Sequence, residues 1–231
     1  MPAKEVPLKL RYFAHASFQI ITDEGISIII DPWLDQNSLS PVKSNEIKAN
    51  YILLSHAHGD HCSDALKIAD KNALVVAVSE LAGYYKAAGC KTHAMQIGGA
   101  FQFDFGSVRF VKAEHGSMTP DGRYGGLAAG IIVTIDGISI YHMGDTGLFG
   151  DIRLIAEMHK IDYLLVPIGG NYTMDPADAA IACSWLKPRL AIPMHYNTFP
   201  LIKQDPAHFA ELCKVHGIIV KIMQPGETIN L

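Results

Sequence analysis

Residues 55–61 read Ser-His-Ala-His-Gly-Asp-His and follow directly on the apolar run Tyr51, Ile52, Leu53, Leu54. Three histidines and an aspartate within six positions restrict the fold more than any other feature of the chain. At the end of a strand, His56 and His58 stand two apart and point to one face. Gly59 then frees the backbone, so that Asp60 and His61 can turn toward an adjacent point. Neutral imidazoles and a carboxylate are donors for a borderline divalent cation, and this spacing suits two of them. Each ion needs further donors, which must come from the ends of later strands at the same edge. Three strand-like runs end in one: His115 in Val-Lys-Ala-Glu-His, Asp145 in His-Met-Gly-Asp, and His195 in Ile-Pro-Met-His. A carboxylate bridges two metals and an imidazole normally does not. The expected set is therefore His56, His58 and His115 at one ion and Asp60, His61 and His195 at the other, with Asp145 between them.

The rest of the chain reads as a globular protein. Its 231 residues are enough for one domain, expected to span 1–231, with a large buried core. Apolar residues make up 49% and charged residues 18%, with no low-complexity run, which excludes disorder as the state of any major segment. The apolar stretches are too short for a bilayer span and the N-terminus lacks a secretory core, so a cytoplasmic protein with no membrane partner is expected. Cys62, Cys90, Cys183 and Cys213 form no C-x-x-C pair and read as small buried residues. A formal charge of −4 argues against nucleic acid as a partner and leaves room for a focused anion site at bound cations.

Apolar and β-branched runs predict strands at 8–12, 17–22, 26–31, 51–55, 74–78, 107–113, 128–134, 138–142, 163–167, 189–193 and 218–222. Hairpin turns are expected at Asp23-Glu24-Gly25 and at Asp136-Gly137, a pair that tolerates positive φ. Helices are expected from Ser63 to about Lys71, from Ser79 to Ala88 with Gly89 as the stop, and over about Phe149–Lys160. Two more follow Asp175-Pro176 and Asp205-Pro206, each an N-cap with proline at the first helical position, and Gly217 closes the last. Hairpins come early and strand–helix alternation late. Two sheets with outer helices fit this order better than a doubly wound sheet, and no Gly-x-Gly-x-x-Gly follows a strand.

The motif His-x-His-x-Asp-His, with Asp31 in Ile-Asp-Pro-Trp, His115, Asp145 in Gly-Asp-Thr-Gly and His195 in that order, resembles the metallo-β-lactamase superfamily over essentially the whole chain. The opening Arg-Tyr-Phe-Ala-His-Ala-Ser, the segment Gly-Gly-Asn-Tyr-Thr-Met and the ending Met-His-Tyr-Asn-Thr-Phe-Pro are similar to a branch of metal-dependent hydrolases. That branch is related to L-ascorbate 6-phosphate lactonase and to N-acyl-phosphatidylethanolamine phospholipase D. The resemblance implies an α/β (α+β) fold: a four-layer αββα sandwich of two mixed sheets flanked by helices, with the metals at one edge. Aspartate at 145, where antibiotic-hydrolysing members carry cysteine, favours two bridged metals and disfavours lactam hydrolysis. His58 stands where flavodiiron reductases carry glutamate, and the chain has no room for the inserted cap of mRNA-processing nucleases.

The expected activity is metal-dependent hydrolysis of a small ester-like bond, in a lactone, a phosphodiester or a carboxyl ester. Two ions roughly 3.5–4 Å apart would lower the pKa of a bridging water and polarise the scissile oxygen. Asp60 would orient the nucleophile and accept its proton. Zinc is the first expectation for the metal, with manganese, nickel or iron accepted by the same donors. Two other classes compete: a non-catalytic metal-binding or sensor module, which needs no open position for water, and an iron-dependent redox enzyme.

Around the centre the readings divide. Asp31 reads as a buried acceptor for backbone amides or for a ligand histidine. His15, which the resemblance places near the site, reads equally as a group touching substrate or its neighbours and as a satisfied strand histidine. Asn171 can donate to substrate or serve a turn. Arg123 and Tyr124, in the glycine-rich interval after His115, can receive an anionic or ring-shaped small-molecule substrate or stand as a solvated loop tip. Gly125 and Gly126 allow close backbone approach or only turn the chain. His142 and Cys62 read as structural. The resemblance also makes a homo-oligomer an expectation.

Overall fold

A computed structural model describes residues 8–69 and 72–231. Its first sheet holds β1 (Lys9–Tyr12), β2 (Phe18–Ile21), β3 (Ser27–Ile30), β4 (Tyr51–Leu53), β5 (Leu74–Val78) and β6 (Thr92–Met95). The second holds β7 (Ala100–Phe103), β8 (Gly106–Lys112), β9 (Ala129–Ile135), β10 (Ile138–His142), β11 (Tyr163–Pro167) and β12 (Leu190–Met194). A last strand, β13 (Thr228–Asn230), returns to pair antiparallel with β1 at the edge of the first sheet. In each sheet an antiparallel half built on hairpins passes into a parallel half, β3-β4-β5-β6 in one and β10-β11-β12 in the other. Parallel strands all end on the same side. That shared direction delivers donors from distant segments to one edge.

The helices are α1 (Gly59–Cys62), α2 (Ala65–Ala69), α3 (Ser79–Ala87), α4 (Ile152–Met158), α5 (Pro176–Leu186) and α6 (Pro206–Val215). Strand alternation sorts the layers. Along β11, Tyr163 and Leu165 enter one core, shared by both sheets, while Leu164 and Val166 join a second core with Ile152, Ala179, Cys183 and Phe209 from α4, α5 and α6. On the opposite side, α3 packs on β5 and β6. The result is the four-layer sandwich of two mixed sheets flanked by helices. Among the described residues no helix is long and apolar enough to cross a membrane.

Both expected hairpins form, with φ of +50° at Asp136 and +81° at Gly137 in the second. The proline-led helices start as expected: Asp175 accepts from the amides of Ala177 and Asp178, and Asp205 from that of Ala207. Other expectations need correction. Ser63 does not cap a long helix; it closes α1, and α2 begins at Ala65. The adjacent Asp64 carboxylate is committed to the backbone amides of Leu34 and Asp35 instead. The expected end of that helix at Lys71 lies outside the described residues. The fourth helix is shorter than 149–160. Residues 218–222, all described, form no strand; Val220 makes a single bridge to Ala191. Apolar patterning does not predict β6, β7 or β13. All three are brief edge strands with much of their surface exposed, so their sequences carry little apolar alternation.

Candidate metal centre

The seven expected donors come together at the strand ends of both sheets. His56 and His58 follow β4, Asp60 and His61 lie on α1, and His115, Asp145 and His195 follow β8, β10 and β12. Ring nitrogens of His56, His58 and His115 lie within 4.8 Å of one another, as do donor atoms of Asp60, His61, His195 and His15. Asp145 sits between the two groups. One carboxylate oxygen is 3.1 Å from His61 Nε2; the other is 3.0 Å from His195 Nε2, 3.4 Å from His115 Nε2 and 4.0 Å from His56 Nε2.

Backbone conformation makes this convergence possible. Gly144 has φ +63°, and a Cβ there would stand 2.8 Å from the carbonyl oxygen of Ala129 and 2.9 Å from Ser55 Cβ. Glycine therefore lets the chain before Asp145 press against the start of the histidine loop. His15, Asp31 and His195 also adopt the left-handed region, at φ +58°, +47° and +55°. Such conformations are costly for residues other than glycine and cluster where function demands a direction the regular backbone cannot supply. The His195 amide donates to the carbonyl of His15, joining two of these turns at 2.8 Å.

Asp31 holds the loop from beneath. It is fully buried, accepts from the amide and hydroxyl of Ser55 at 2.8 and 2.5 Å, and lies 2.8 Å from His61 Nδ1. An ionised carboxylate only accepts, so His61 carries a proton on Nδ1 and turns Nε2 toward Asp145. Burial opposes the charge on His61, yet Asp145 and Asp31 outweigh it and raise its pKa well above the ordinary imidazole value. Burial likewise opposes ionisation of Asp145, and His195 and His61 overcome it, holding the carboxyl well below its usual range. Two buried carboxylates around one imidazole favour positive charge in this space. A divalent cation would supply that charge.

His15 closes the second group without reaching the open cleft. Its Nε2 lies 3.2 Å from Asp60 and its Nδ1 2.6 Å from the Thr198 hydroxyl, and the side chain is wholly buried. Burial, with His195 beside it, pushes the His15 pKa down to about 3. The neutral ring then donates from Nε2 to Asp60 and accepts at Nδ1 from Thr198. Burial also lowers His56, His58 and His115, keeping their nitrogens available as neutral donors.

The residues fit divalent cations on an observation independent of residue type. His61 Nε2, His195 Nε2 and Asp145 Oδ1 are buried and make no well-directed hydrogen bond, although the two nitrogens lie 3.1 and 3.0 Å from the Asp145 carboxylate. Orphaned buried polar atoms are destabilising, and three of them converging on one space is what a cation-binding set requires.

A cleft of about 680 Å³ opens over the centre, bounded by His58, Asp60, His115, Asp145 and His195 on its floor. Its walls contain Trp33, Phe199, Tyr172 and Pro120, none of which sequence patterning marks. Their signal is weak, since each is an isolated aromatic or proline beside a donor segment. Three residues expected to meet substrate, Arg123, Tyr124 and Asn171, lie outside the cleft. The Arg123 side chain is 70% exposed, pairs with Asp121 at 3.2 Å and lies over the Tyr84 ring, outside the cleft. Asn171 is exposed and does not line it; the neighbouring Tyr172 does. The glycine-rich interval does pack over the motif, through Pro120 beside Gly59 and through Gly125, where an added Cβ would overlap Ala57 Cβ. His142 is engaged by the Ala16 carbonyl and the Gly144 amide, and Cys62 by the Ala57 carbonyl.

Comparison with known proteins agrees with this fold. The family model for the beta-lactamase superfamily domain matches residues 9–195. A UPF0173 metal-dependent hydrolase from Bacillus velezensis is 48% identical over 97% of this chain and 100% of its own length. A second, from Geobacillus, is 47% identical over the same share of both. Among solved structures, Igni18, a metallo hydrolase from the hyperthermophilic archaeon Ignicoccus hospitalis, superposes with a TM-score of 0.89 at 36% identity, covering 97% of this chain and 98% of that one.

Proposed function

The chain belongs to the metallo-β-lactamase superfamily, as a metal-dependent hydrolase of the UPF0173 group, and from that premise we propose that its centre holds two divalent cations and cleaves a small ester-like bond. The observation that carries this reading is Asp145, whose two oxygens face donors of both histidine groups while one of them lacks a hydrogen bond. His56, His58 and His115 would hold one ion, and Asp60, His61 and His195 the other, with Asp145 shared. Zinc is the first choice, because neutral imidazoles and carboxylates are its ordinary ligands. The cations would supply an ionised water near neutral pH and positive charge against the oxygen that gains electron density.

The protein's own groups then divide the remaining work. Burial opposes ionisation of Asp60, but the bond from His15 and the nearness of His61 outweigh it and keep the carboxylate charged. Asp60 is therefore available as a charged acceptor that orients a water, and in this proposal it receives the water's proton. His15, itself bonded to Thr198, holds Asp60 in place from the closed side, so the carboxylate need not reorganise during reaction. Lactones, phosphodiesters and carboxyl esters all present the polar oxygen this arrangement serves. A cytoplasmic location and a homo-oligomer complete the proposal.

The test combines elemental analysis of protein purified without added metal with hydrolysis of a lactone panel, aryl esters and bis(p-nitrophenyl) phosphate, before and after chelation. Two metals per chain and chelator-sensitive turnover of one class are expected. Metal content without turnover of any class would favour a binding module, and an iron-dominated, coloured protein would favour redox chemistry.

A further inference from the structure

The walls of the cleft carry information that its floor does not. Among the described residues no lysine or arginine lines the cleft, and its charged side chains other than histidine are Asp60 and Asp145, both carboxylates at the floor. A substrate bearing an anionic group away from the reacting bond would find no cation to meet it there. Arg123, the basic residue the sequence offers for that purpose, faces Asp121 and Tyr84 instead.

Aromatic groups occupy the wall in a fixed arrangement. The rings of Trp33 and Phe199 have centroids 5.4 Å apart with planes inclined at 32°. Both meet His15 edge to face, at 5.0 and 5.5 Å, and His15 in turn lies 3.9 Å from the His195 ring and bonds Asp60. The wall is thus continuous with the donor set. Trp33 is held further by its backbone amide, which donates to Ser17 Oγ at 3.0 Å, and only 8% of it is exposed. Tyr172 is 49% exposed and stands at the cleft as a third ring. Rigid aromatic surface of this kind gains from an apolar ring laid against it and penalises an unpaired charge.

We propose that the substrate presents an uncharged aryl group, seated against Trp33, Phe199 and Tyr172, next to the bond that is cleaved. The inference rests on the hydrolase reading above for the identity of that bond, although recognition of the ring is separable from cleavage. Phosphorylated sugars and other substrates charged at the far end are selected against.

Recognition can be read without turnover. The chain has two tryptophans, and Trp185 stacks on Arg153 in another part of the fold, so Trp185→Phe leaves Trp33 as the sole indole reporter. In the metal-loaded protein, 3-phenylpropanamide is expected to change Trp33 emission saturably. Its para-carboxylate analogue should bind about tenfold or more weaker, and Phe199→Ala should weaken the neutral probe by about the same factor. Tyr172→Ala, at a half-exposed position, provides a second variant if Phe199→Ala fails to fold. In parallel, phenyl acetate and 4-carboxyphenyl acetate are compared as substrates; water is consumed, and acetic acid and the phenol are released.

Equal or tighter binding of the carboxylate, absence of a saturable signal, or an affinity unaffected by the wall substitutions would overturn the proposal. Selective binding of the neutral probe with neither ester hydrolysed would uphold the ring site and count against ester cleavage.

Discussion

His61 Nδ1 and the carboxylate of Asp31 lie 2.8 Å apart at a fully buried contact between the end of β3 and α1. The pair joins a candidate ligand to a residue that does not itself face the cleft. Asp31 therefore decides which nitrogen of His61 is free.

Replacing Asp31 by asparagine tests that control. Asparagine tolerates the left-handed backbone at this position and can still accept from the Ser55 amide. It loses the negative charge that holds the His61 proton on Nδ1. We expect metal affinity to fall by roughly 10–100-fold with the fold retained, measured by competition against a chromophoric chelator. Unchanged affinity would reduce Asp31 to a backbone acceptor.

Asp145→Asn removes the charge shared by both histidine groups. The amide nitrogen would also turn a donor toward one of the imidazoles. Metal content should drop below two per chain and turnover should fall by on the order of a hundredfold or more, because the cations would no longer be bridged or balanced. Elemental analysis and kcat on the same preparation check both halves. Full metal content with normal turnover would remove Asp145 from the centre.

Gly125→Ala addresses packing instead of chemistry. The added methyl would overlap Ala57 Cβ and stand 2.8 Å from Ser117 Oγ, between the loop after β8 and the histidine motif. Overpacking of this kind costs about 1–3 kcal/mol, readable as a lower urea midpoint. Gly122→Ala provides the comparison. Its φ of +83° carries some strain, but open space surrounds it, so the expected loss is smaller.

Acid sensitivity should trace partly to Asp35. Lys67 bonds its carboxylate at 2.5 Å, and with help from Ser44 holds the Asp35 pKa below the ordinary carboxylate range. A carboxyl depressed on folding contributes stability that is present above its unfolded pKa and is lost as pH falls through the folded value. The contribution is modest, since Lys67 is 56% exposed and solvent screens the pair. Asp35→Asn should therefore lower stability slightly at pH 7 and flatten its decline below about pH 4, seen in urea melts across that range. An unchanged acid slope would assign the loss to other carboxylates.

The convergence of the candidate donors is legible in the sequence because few residue types could ligate a metal. His56, His58, Asp60 and His61 are close enough in the chain for local geometry to bring them together. His115, Asp145 and His195 are also legible, since each follows an apolar run and parallel strands end at a common edge. The order of hairpins and helices suffices for the two-sheet architecture. Three of the four edge strands, β6, β7 and β13, are not legible: β13 is three residues long and forms against the ladder that β1 offers it.

Residue type and periodicity are enough to place the candidate donors at the floor of the cleft and the layers that support them. What surrounds that floor comes from packing between distant segments. Trp33 and Phe199 lie far apart in the chain and meet through the loops after β3 and β12, while Arg123 turns away to Asp121. Contacts of this kind depend on the left-handed turns at His15, Asp31 and His195, whose non-glycine residues give no local sign of positive φ. The backbone there is held by the packed sheets and by hydrogen bonds from distant segments, so its direction exists only once the fold has formed.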